Sequence, residues 1–240
     1  SEKTVNGTYG AGINLGGKTT LLITGGKIIN NTANQYGGGI NVAVGNTLQI
    51  SGTPVITENT AKNTADNVYL RSSDKGSSLI EMTGELRNGA VIGVKTENTP
   101  DNSTNKSIQI TDTETDTEYY KNAAQYFIPD AANVVAQANE GKYVELAYTT
   151  VTYHKVTLNL SHASVSIGSP TTMVKSDESC TITIKADKGY TLPVEAPSEA
   201  ANYKCDDDKT TANVTVKPTE NTTITIKAVP NTYTVAFDGN

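Results

Sequence analysis

One phrase recurs at a fixed spacing along the first part of the chain. YGAGINLG at residues 9–16 returns as YGGGINVA at 36–43, 27 residues later, and a further step of 28 residues reaches VYL at 68–70. Self-similarity with a period of this length is typical of chains whose successive turns stack on one another. The repeat therefore restricts this part of the chain to folds in which each turn buries its apolar side chains against the next.

Two further series run beside the first. TTLLITGG at 19–26 recurs as NTLQISGT at 46–53 and SSLIEMTG at 77–84, and KIINNTAN at 27–34 recurs as PVITENTAKN at 54–63 and, shortened, as ELRNGA at 85–90. Each period holds three strand-like pieces of three to five residues, too short to form a sheet alone. Pairing each piece with its equivalent in the next turn satisfies the backbone. The sequence therefore predicts an all-β solenoid.

The period also predicts which side chains share a position. Aliphatic residues should form three inward rows, and a narrow core of this kind agrees with a hydrophobic content of only 36%. The predicted rows are Ile13, Ile40 and Val68; Ile23, Ile50 and Met82; and Ile28, Val55 and Leu86. Gly25, Gly52 and Gly84 are predicted to share one corner, where the backbone needs a conformation that glycine adopts cheaply. Gly12 and Gly39 are interpreted as scaffold positions of the repeated phrase.

Two stretches resemble known surface proteins. Residues 25–42 (GGKIINNTANQYGGGINV) resemble the right-handed parallel β-helix repeats of bacterial cell-surface proteins, and residues 125–147 resemble the terminal segments that close such β-helices in Gram-positive bacteria. The resemblance implies a right-handed parallel β-helix of about three to four coils over residues 1–150, with a C-terminal cap at about 95–150. Within the cap, the alternating acids at 112, 114, 116 and 118 predict an acidic strand that protects the sheet edge.

The pattern changes near residue 150. Apolar and polar residues alternate cleanly, as in VTLNL at 156–160 and TITIKA at 181–186, which predicts an antiparallel β-sandwich over residues 151–229. ADKGYTLP at 186–193 and NVTVKPTENTTITIKA at 213–228 resemble bacterial immunoglobulin-like repeats. NTYTVAFDGN at 231–240 resembles the opening strand of an internalin-type B-repeat, so residues 230–240 are interpreted as the start of a further repeat.

Cys180 and Cys205 are the two cysteines of the chain. A scarce pair in a threonine-rich β segment favours a disulfide formed in an oxidising compartment, and two free, partly buried thiols are the alternative. A bridge between neighbouring strands would close a loop of about 25 residues and contribute about 3–4 kcal/mol.

Composition argues against several functions. The net charge is −6 and no basic cluster occurs, so nucleic-acid binding is not expected. No apolar run approaches the ~20 residues of a membrane span, so membrane insertion is not expected either. His154 and His162 lack a partner for nucleophilic catalysis, and Asp206–Asp208 is interpreted as a solvated turn. We therefore expect no catalytic residue, cofactor or metal.

The resemblances imply a non-catalytic, extracellular protein of the bacterial cell surface, adhesin or stalk, attached to the cell wall through segments outside this sequence. Its expected partner is a glycan or a host surface protein, bound by outward Asn, Thr and Gln side chains of the coils, and the fragment is expected to be a monomer. The alternative is a β-helix carbohydrate-active enzyme, a polysaccharide lyase or hydrolase. Such enzymes carry clustered acids with Arg or Lys on one solenoid face, whereas the coils here carry only a few charged residues: Glu58, Asp66, Asp74, Glu81, Glu85, Arg71 and Arg87.

Overall fold

A computed structural model describes residues 6–74, 76–103, 106–113 and 118–232. The protein is all-β, as the sequence predicts, and several of its sheets are parallel. The chain divides into two compact units, Ser1–Tyr153 (unit 1) and His154–Asn240 (unit 2). The division lies close to residue 150, where the sequence pattern changes.

Unit 1 begins with successive repeats of short strands. The first repeat contains β1 (Asn6–Tyr9), β2 (Ile13–Leu15), β3 (Thr20–Ile23) and β4 (Lys27–Ile28). The second contains β5 (Thr32–Tyr36), β6 (Ile40–Val42), β7 (Thr47–Gly52) and β8 (Val55–Ile56). The third contains β9 (Thr60–Ala61), β10 (Thr64–Ala65), β11 (Val68–Leu70), β12 (Ser72–Ser73), β13 (Gly76–Ser77) and β14 (Ile80–Leu86). The strand β15 (Val91–Thr96) follows.

Equivalent strands of successive repeats pair in parallel. The orders are β1-β5-β9, β2-β6-β11-β15, β3-β7-β14 and β4-β8-β15. Ile13, Ile40 and Val68 are register partners and continue to Val94. A second row runs through Ile23, Ile50 and Met82. The middle members of both rows, Ile40 and Ile50, are fully buried, so stacking of the repeats builds one continuous core.

The third inward row differs from the prediction. Ile28 pairs with Ile56, and Ile56 lies in register with Ile92. Ile56, which is 1% exposed, therefore holds the inward position, and Val55 holds the half-buried position next to it. Two adjacent aliphatic residues make both registers compatible with the sequence pattern, and a slip of one residue exchanges the inward and outward sides. Leu86, predicted for this row, is buried opposite Gly52 instead.

The predicted glycine corner is also only partly correct. Gly52 has φ +71°, and a Cβ there would lie 2.3 Å from the carbonyl oxygen of Thr24, so glycine is required. In the first repeat the left-handed residue is Gly26, with φ +83°, rather than Gly25. Gly84 lies inside β14, where the register shifts between Met82 and Leu86, and its φ is not left-handed. The irregular register therefore removes Gly84 from the corner.

The glycines of the repeated phrase allow neighbouring repeats to approach closely. A Cβ on Gly12 would lie 2.5 Å from the carbonyl oxygen of Gly39, and a Cβ on Gly39 would lie 2.6 Å from that of Asn67. Each of the two glycines precedes a member of the first inward row. In the third repeat this position is held by Asn67, whose side chain would contact a Cβ on Gly93.

A ladder of buried amides follows this corner. The backbone N–H of Asn31 donates to Oδ1 of Asn59 at 3.1 Å, and the N–H of Asn59 donates to Oδ1 of Asn67 at 2.9 Å. Asn67 donates its N–H and its side-chain amide to the carboxylate of Asp130, at 2.6 and 2.8 Å. The ladder satisfies buried backbone donors from repeat to repeat and ends on a carboxylate.

A C-terminal segment completes unit 1. Its elements are β16 (Ile108–Gln109), α1 (Glu118–Ala123), a 3-10 turn (Ala124–Tyr126), β17 (Phe127–Pro129), β18 (Val134–Asn139) and β19 (Tyr143–Tyr148). β17 pairs in parallel with β15, whereas β16 and β18 flank β19 in antiparallel pairs. The buried side chains of Tyr120, Phe127 and Leu146 join the core of the repeats.

The predicted acidic strand is not formed at its described positions. Glu118 begins α1, and Asp112 accepts hydrogen bonds from the backbone N–H of Met82 and the hydroxyl of Tyr120, at 3.0 and 2.7 Å. Asp112 therefore links the C-terminal segment to the repeats. The other two acids of the run, Glu114 and Asp116, lie outside the described residues.

Unit 2 contains β20 (Tyr153–Ser161), β21 (Ala163–Ile167), β22 (Thr171–Lys175), β23 (Cys180–Ala186), β24 (Tyr190–Thr191), β25 (Asn202–Cys205), β26 (Thr211–Val216), β27 (Thr222–Lys227) and β28 (Val229–Pro230). One sheet has the order β22-β20-β27, the second β21-β23-β26-β25, and β24 pairs with β28. Inward residues of the two larger sheets share one core that includes Leu158, Ile184 and Val214.

Two details of unit 2 differ from the predictions. β20 and β27 pair in parallel from Val156↔Thr222 onward, so the unit is not purely antiparallel. Pro230, predicted to open a further repeat, belongs to β28 and pairs with Tyr190. Residues 233–240, which carry most of the predicted B-repeat strand, lie outside the described residues.

The predicted disulfide is wrong in this structure, where Cys180 and Cys205 are free thiols. Cys180 pairs with Val216 on one side of β26, and Cys205 pairs with Ala212 on the other side. The two cysteines are thus two strand spacings and four residues apart, roughly 16 Å at ~4.8 Å per strand and ~3.3 Å per residue. A disulfide needs Cα atoms within about 7 Å. Burial raises the pKa of both thiols.

Candidate functional site

Three tyrosines stack along one corner of the repeats, and we call Tyr9, Tyr36 and Tyr69 the tyrosine column. The ring centroids of Tyr9 and Tyr36 are 6.1 Å apart at an interplanar angle of 21°, and those of Tyr36 and Tyr69 are 4.7 Å apart at 23°. Exposure falls along the column, from 38% at Tyr9 through a half-buried Tyr36 to 5% at Tyr69. The column therefore opens to solvent at its Tyr9 end.

The column arises from the repeat and from one interruption of it. Tyr9 and Tyr36 are register partners because they occupy equivalent positions at the ends of β1 and β5. Tyr69 comes from β11, a strand of the adjacent sheet, where its register partner is Asn41 of β6. In the third repeat the chain turns back between β9 and β10, so no equivalent of Tyr36 follows at that level. Tyr69 fills the stacking position instead.

The turn between β9 and β10 also brings a cation to the column. Its two central residues, Lys62 and Asn63, have φ +51° and +63°, the values of a tight two-residue hairpin. The Nζ atom of Lys62 lies 4.7 Å from the ring centroid of Tyr36, and the guanidinium carbon of Arg71 lies 5.6 Å from it. Both distances are those of cation–π contacts.

A buried carboxylate lies beside the column. Asp66 is 1% exposed, accepts the N–H of Gly37 at 2.9 Å and pairs with Nζ of Lys95 at 3.6 Å. Burial raises the pKa of Asp66 above its ordinary value, while the Gly37 hydrogen bond and the charges of Lys95 and Lys62 oppose the rise. Its oxygens hold the backbone and Lys95, so Asp66 acts as a support for the corner.

A second ion pair flanks the buried end of the column. Arg71 lies 3.6 Å from Glu97, whose other carboxylate oxygen accepts the N–H of Ser72 at 2.8 Å. Burial, together with the charge of Glu97, raises the pKa of Tyr69 to about 12. The Tyr69 phenol therefore stays neutral at physiological pH although it lies beside charged groups.

The polar side chains of the coils, which the sequence predicts as the ligand-binding surface, form hydrogen bonds between successive repeats. Nδ2 of Asn41 donates to Oδ1 of Asn14 at 2.8 Å, and the hydroxyls of Thr32 and Thr60 are 3.2 Å apart. Asn41 is 3% exposed, and its own Oδ1 is buried without a hydrogen-bond partner. These rows therefore contribute to the stacking of repeats.

The other predicted residues do not converge with the column. Of the coil acids, Glu58 has φ +59° and is exposed, while Glu81 lies on β14 in a different sheet. The glycines and aliphatic residues of the repeat are scaffold, as described above. In unit 2 the exposed His162 stacks on Tyr190 with ring centroids 4.1 Å apart and planes 5° from parallel.

The acidic turn of unit 2 is held by its own threonines. Both carboxylate oxygens of Asp206 accept the N–H of Thr211 at 3.0 Å, and Oδ1 of Asp208 accepts the hydroxyl of Thr210 at 2.7 Å. Hydrogen bonds from Thr210 lower the pKa of Asp208. Within the described ranges, no group of three or more His, Cys, Asp or Glu side chains is arranged to hold a metal ion.

The repeated phrase contained a signal for the column. Tyr9 and Tyr36 open the phrase at equivalent positions, and a stack of their rings follows from parallel pairing at ~4.8 Å between strands. Tyr69 and Lys62 gave no such signal, because both depend on the hairpin that breaks the period.

No helix in the described part of the chain is long and apolar enough to span a membrane. Comparison of the chain with protein-family models, with curated proteins and with solved structures found no match.

Proposed function

We propose that the protein is a non-catalytic extracellular fragment of a bacterial cell-surface protein, adhesin or stalk, and that unit 1 presents a binding face for a glycan or a protein. In this proposal unit 1 is a right-handed parallel β-helix closed by residues 95–150, and unit 2 is an immunoglobulin-like sandwich that acts as a spacer. In-register parallel pairing over successive repeats supports the first assignment. Two sheets around one core support the second.

The observation that carries the binding proposal is the tyrosine column. The exposed ring of Tyr9 is stacked on the half-buried ring of Tyr36, and the pairing of β1 with β5 holds both in place. Rigid aromatic side chains lose little conformational entropy on binding and offer a large apolar surface, which suits both the C–H faces of sugar rings and protein anchors. A ligand would therefore meet a preformed surface.

The chemistry around the column favours binding over catalysis. Asp66 and Glu97 both lie beside the rings, and both are already engaged. Glu97 is held by Arg71 and the N–H of Ser72. The more deeply buried Asp66 is held by Gly37 and Lys95. A general acid or base needs a proton within hydrogen-bond reach of the substrate, and a carboxylate that is 1% exposed offers poor access to it. This arrangement supports a binding face rather than a lyase or hydrolase site.

An array that displays glycans and extracellular proteins tests the proposal with the whole chain. We expect ligands that bind the wild type and lose at least ten-fold in affinity on Tyr9→Ala with Tyr36→Ala. The exposed Tyr9 alone can be replaced by Phe as a control, because the phenyl ring keeps the stacking surface. Absence of any bound glycan or protein, or binding that survives the double substitution, would refute a binding role of the column.

A further inference from the structure

We infer that the tyrosine column, with Lys62, is a binding site for an anionic glycan, a polysaccharide whose sugar rings carry carboxylates. The inference rests on the proposed binding function and narrows its ligand to one chemical class. It starts from the charges around the column rather than from the rings alone.

The charges near the column do not cancel. Lys95 pairs with Asp66, and Arg71 pairs with Glu97, each at 3.6 Å. Among the described residues, no carboxylate lies within 4.0 Å of Nζ of Lys62, and its side chain is exposed. One positive charge therefore remains at this corner of a chain whose net charge is −6. A ligand with negative charge would be attracted to this corner and repelled by much of the remaining surface.

The cation and the rings are positioned for one extended ligand. Lys62 lies over Tyr36, and Tyr36 is stacked between Tyr69 and the exposed Tyr9. A polysaccharide at the open end of the column would rest an apolar sugar face on the exposed Tyr9 and then run past the accessible edge of the half-buried Tyr36. A carboxylate further along the same ligand would then reach Lys62. A neutral glycan would use the rings and leave Lys62 unpaired.

The hairpin fixes the position of Lys62. Both Lys62 and Asn63 are left-handed, and the flanking residues Ala61 and Thr64 are register partners. The hydroxyl of Thr64 also donates to the carbonyl of Ala61 at 3.0 Å. A backbone held in this way keeps the lysine near Tyr36 before any ligand arrives, which reduces the entropy lost on binding.

Isothermal titration of the whole chain with alginate and hyaluronan oligosaccharides tests the inference, each beside the carboxyl-reduced form of the same oligosaccharide. We expect an acidic form to bind about five-fold more tightly than its reduced counterpart, the same factor as the Lys62 pair supplies, with an affinity that falls as salt is added. Lys62→Ala should weaken binding about five-fold, the upper end for an exposed ion pair. Tyr9→Ala should weaken it about ten-fold.

Lys18→Ala is the matched control, because Lys18 is also an exposed lysine of unit 1 with a left-handed φ, +62°. It changes the net charge equally and should leave binding unaltered. Equal binding of acidic and reduced oligosaccharides, or equal losses in the two lysine variants, would overturn the inference. If neither acid binds while the array yields neutral glycans or proteins, the inference fails and the proposed function stands. If nothing binds in either experiment, both fail.

Discussion

Asn59 links neighbouring repeats through several side-chain hydrogen bonds, and its replacement by alanine tests how far those bonds hold the stack together. The residue is 1% exposed. Its Nδ2 donates to the carbonyl oxygens of Ile28 and Thr57, both at 2.8 Å, and its Oδ1 accepts the N–H and the side-chain amide of Asn31 at 3.1 and 2.9 Å. Alanine would leave two partly buried carbonyls and one buried N–H without these partners.

The magnitude follows from those orphaned groups. Each buried polar group left unsatisfied costs about 1–3 kcal/mol, and partial relaxation reduces the total, so we expect Asn59→Ala to lower the free energy of unfolding of unit 1 by about 3–5 kcal/mol. That is a large fraction of the ~5–15 kcal/mol that stabilises a typical domain. Asn34→Ala is the control, because Asn34 is an exposed residue of β5 and should change stability by less than about 0.5 kcal/mol.

Urea denaturation followed by far-UV circular dichroism, with hydrogen exchange of peptides from residues 20–60, measures the effect on unit 1. Hydrogen exchange is needed because the two units can unfold in separate transitions, and circular dichroism of the whole chain does not assign a transition to one unit. We expect faster exchange in this segment for Asn59→Ala and unchanged exchange for Asn34→Ala. A loss below about 1 kcal/mol for Asn59→Ala, or equal losses in the two variants, would refute the argument that the amide ladder holds the repeats together.

Three further predictions test other parts of the structure. Burial of Glu145 raises its pKa, but three side-chain hydrogen bonds outweigh this and lower it below 4.5. The stability that ionised Glu145 contributes is therefore present above pH 4.5 and lost as the pH falls. Glu145→Gln should destabilise the protein at pH 7 but much less at pH 3. Urea unfolding at both pH values measures the difference. Gly39→Ala should lower the melting temperature strongly because its Cβ would lie 2.6 Å from a backbone carbonyl, whereas Gly16→Ala, with open space around it, should not. Cys180 and Cys205 should both be alkylated in unfolded, unreduced protein, and a mass spectrum without two labels would contradict the strand order of unit 2.

The regular part of the fold could be predicted from the sequence because a stacked repeat has a single dominant constraint. Residues 27 or 28 positions apart become register partners, so the rows through Ile40 and Ile50 follow directly from the spacing. The third row could not be fixed in the same way, since Val55 and Ile56 are both aliphatic and either can face inward. Register is ambiguous wherever two such residues are adjacent.

The unpredicted features arise where the chain leaves its period. The hairpin at Lys62 and Asn63 ends β9 after two residues and leaves the position on Tyr36 to Tyr69, which no spacing rule anticipates. In unit 2, β26 inserts between β23 and β25, so the two cysteines are not on neighbouring strands although they are close in sequence order. Both features depend on tertiary pairing, and local alternation of residues carries no information about it.

We propose that the tyrosine column binds a ligand without transforming it, and one NMR titration tests both parts of that proposal. Alginate oligosaccharides are added to the isotope-labelled whole chain while spectra of protein and sugar are recorded together. We expect chemical-shift changes concentrated at Tyr9, Tyr36 and Lys62, with the oligosaccharide signals intact after prolonged incubation. Shifts confined to unit 2, or the appearance of cleaved or unsaturated sugar products, would contradict it.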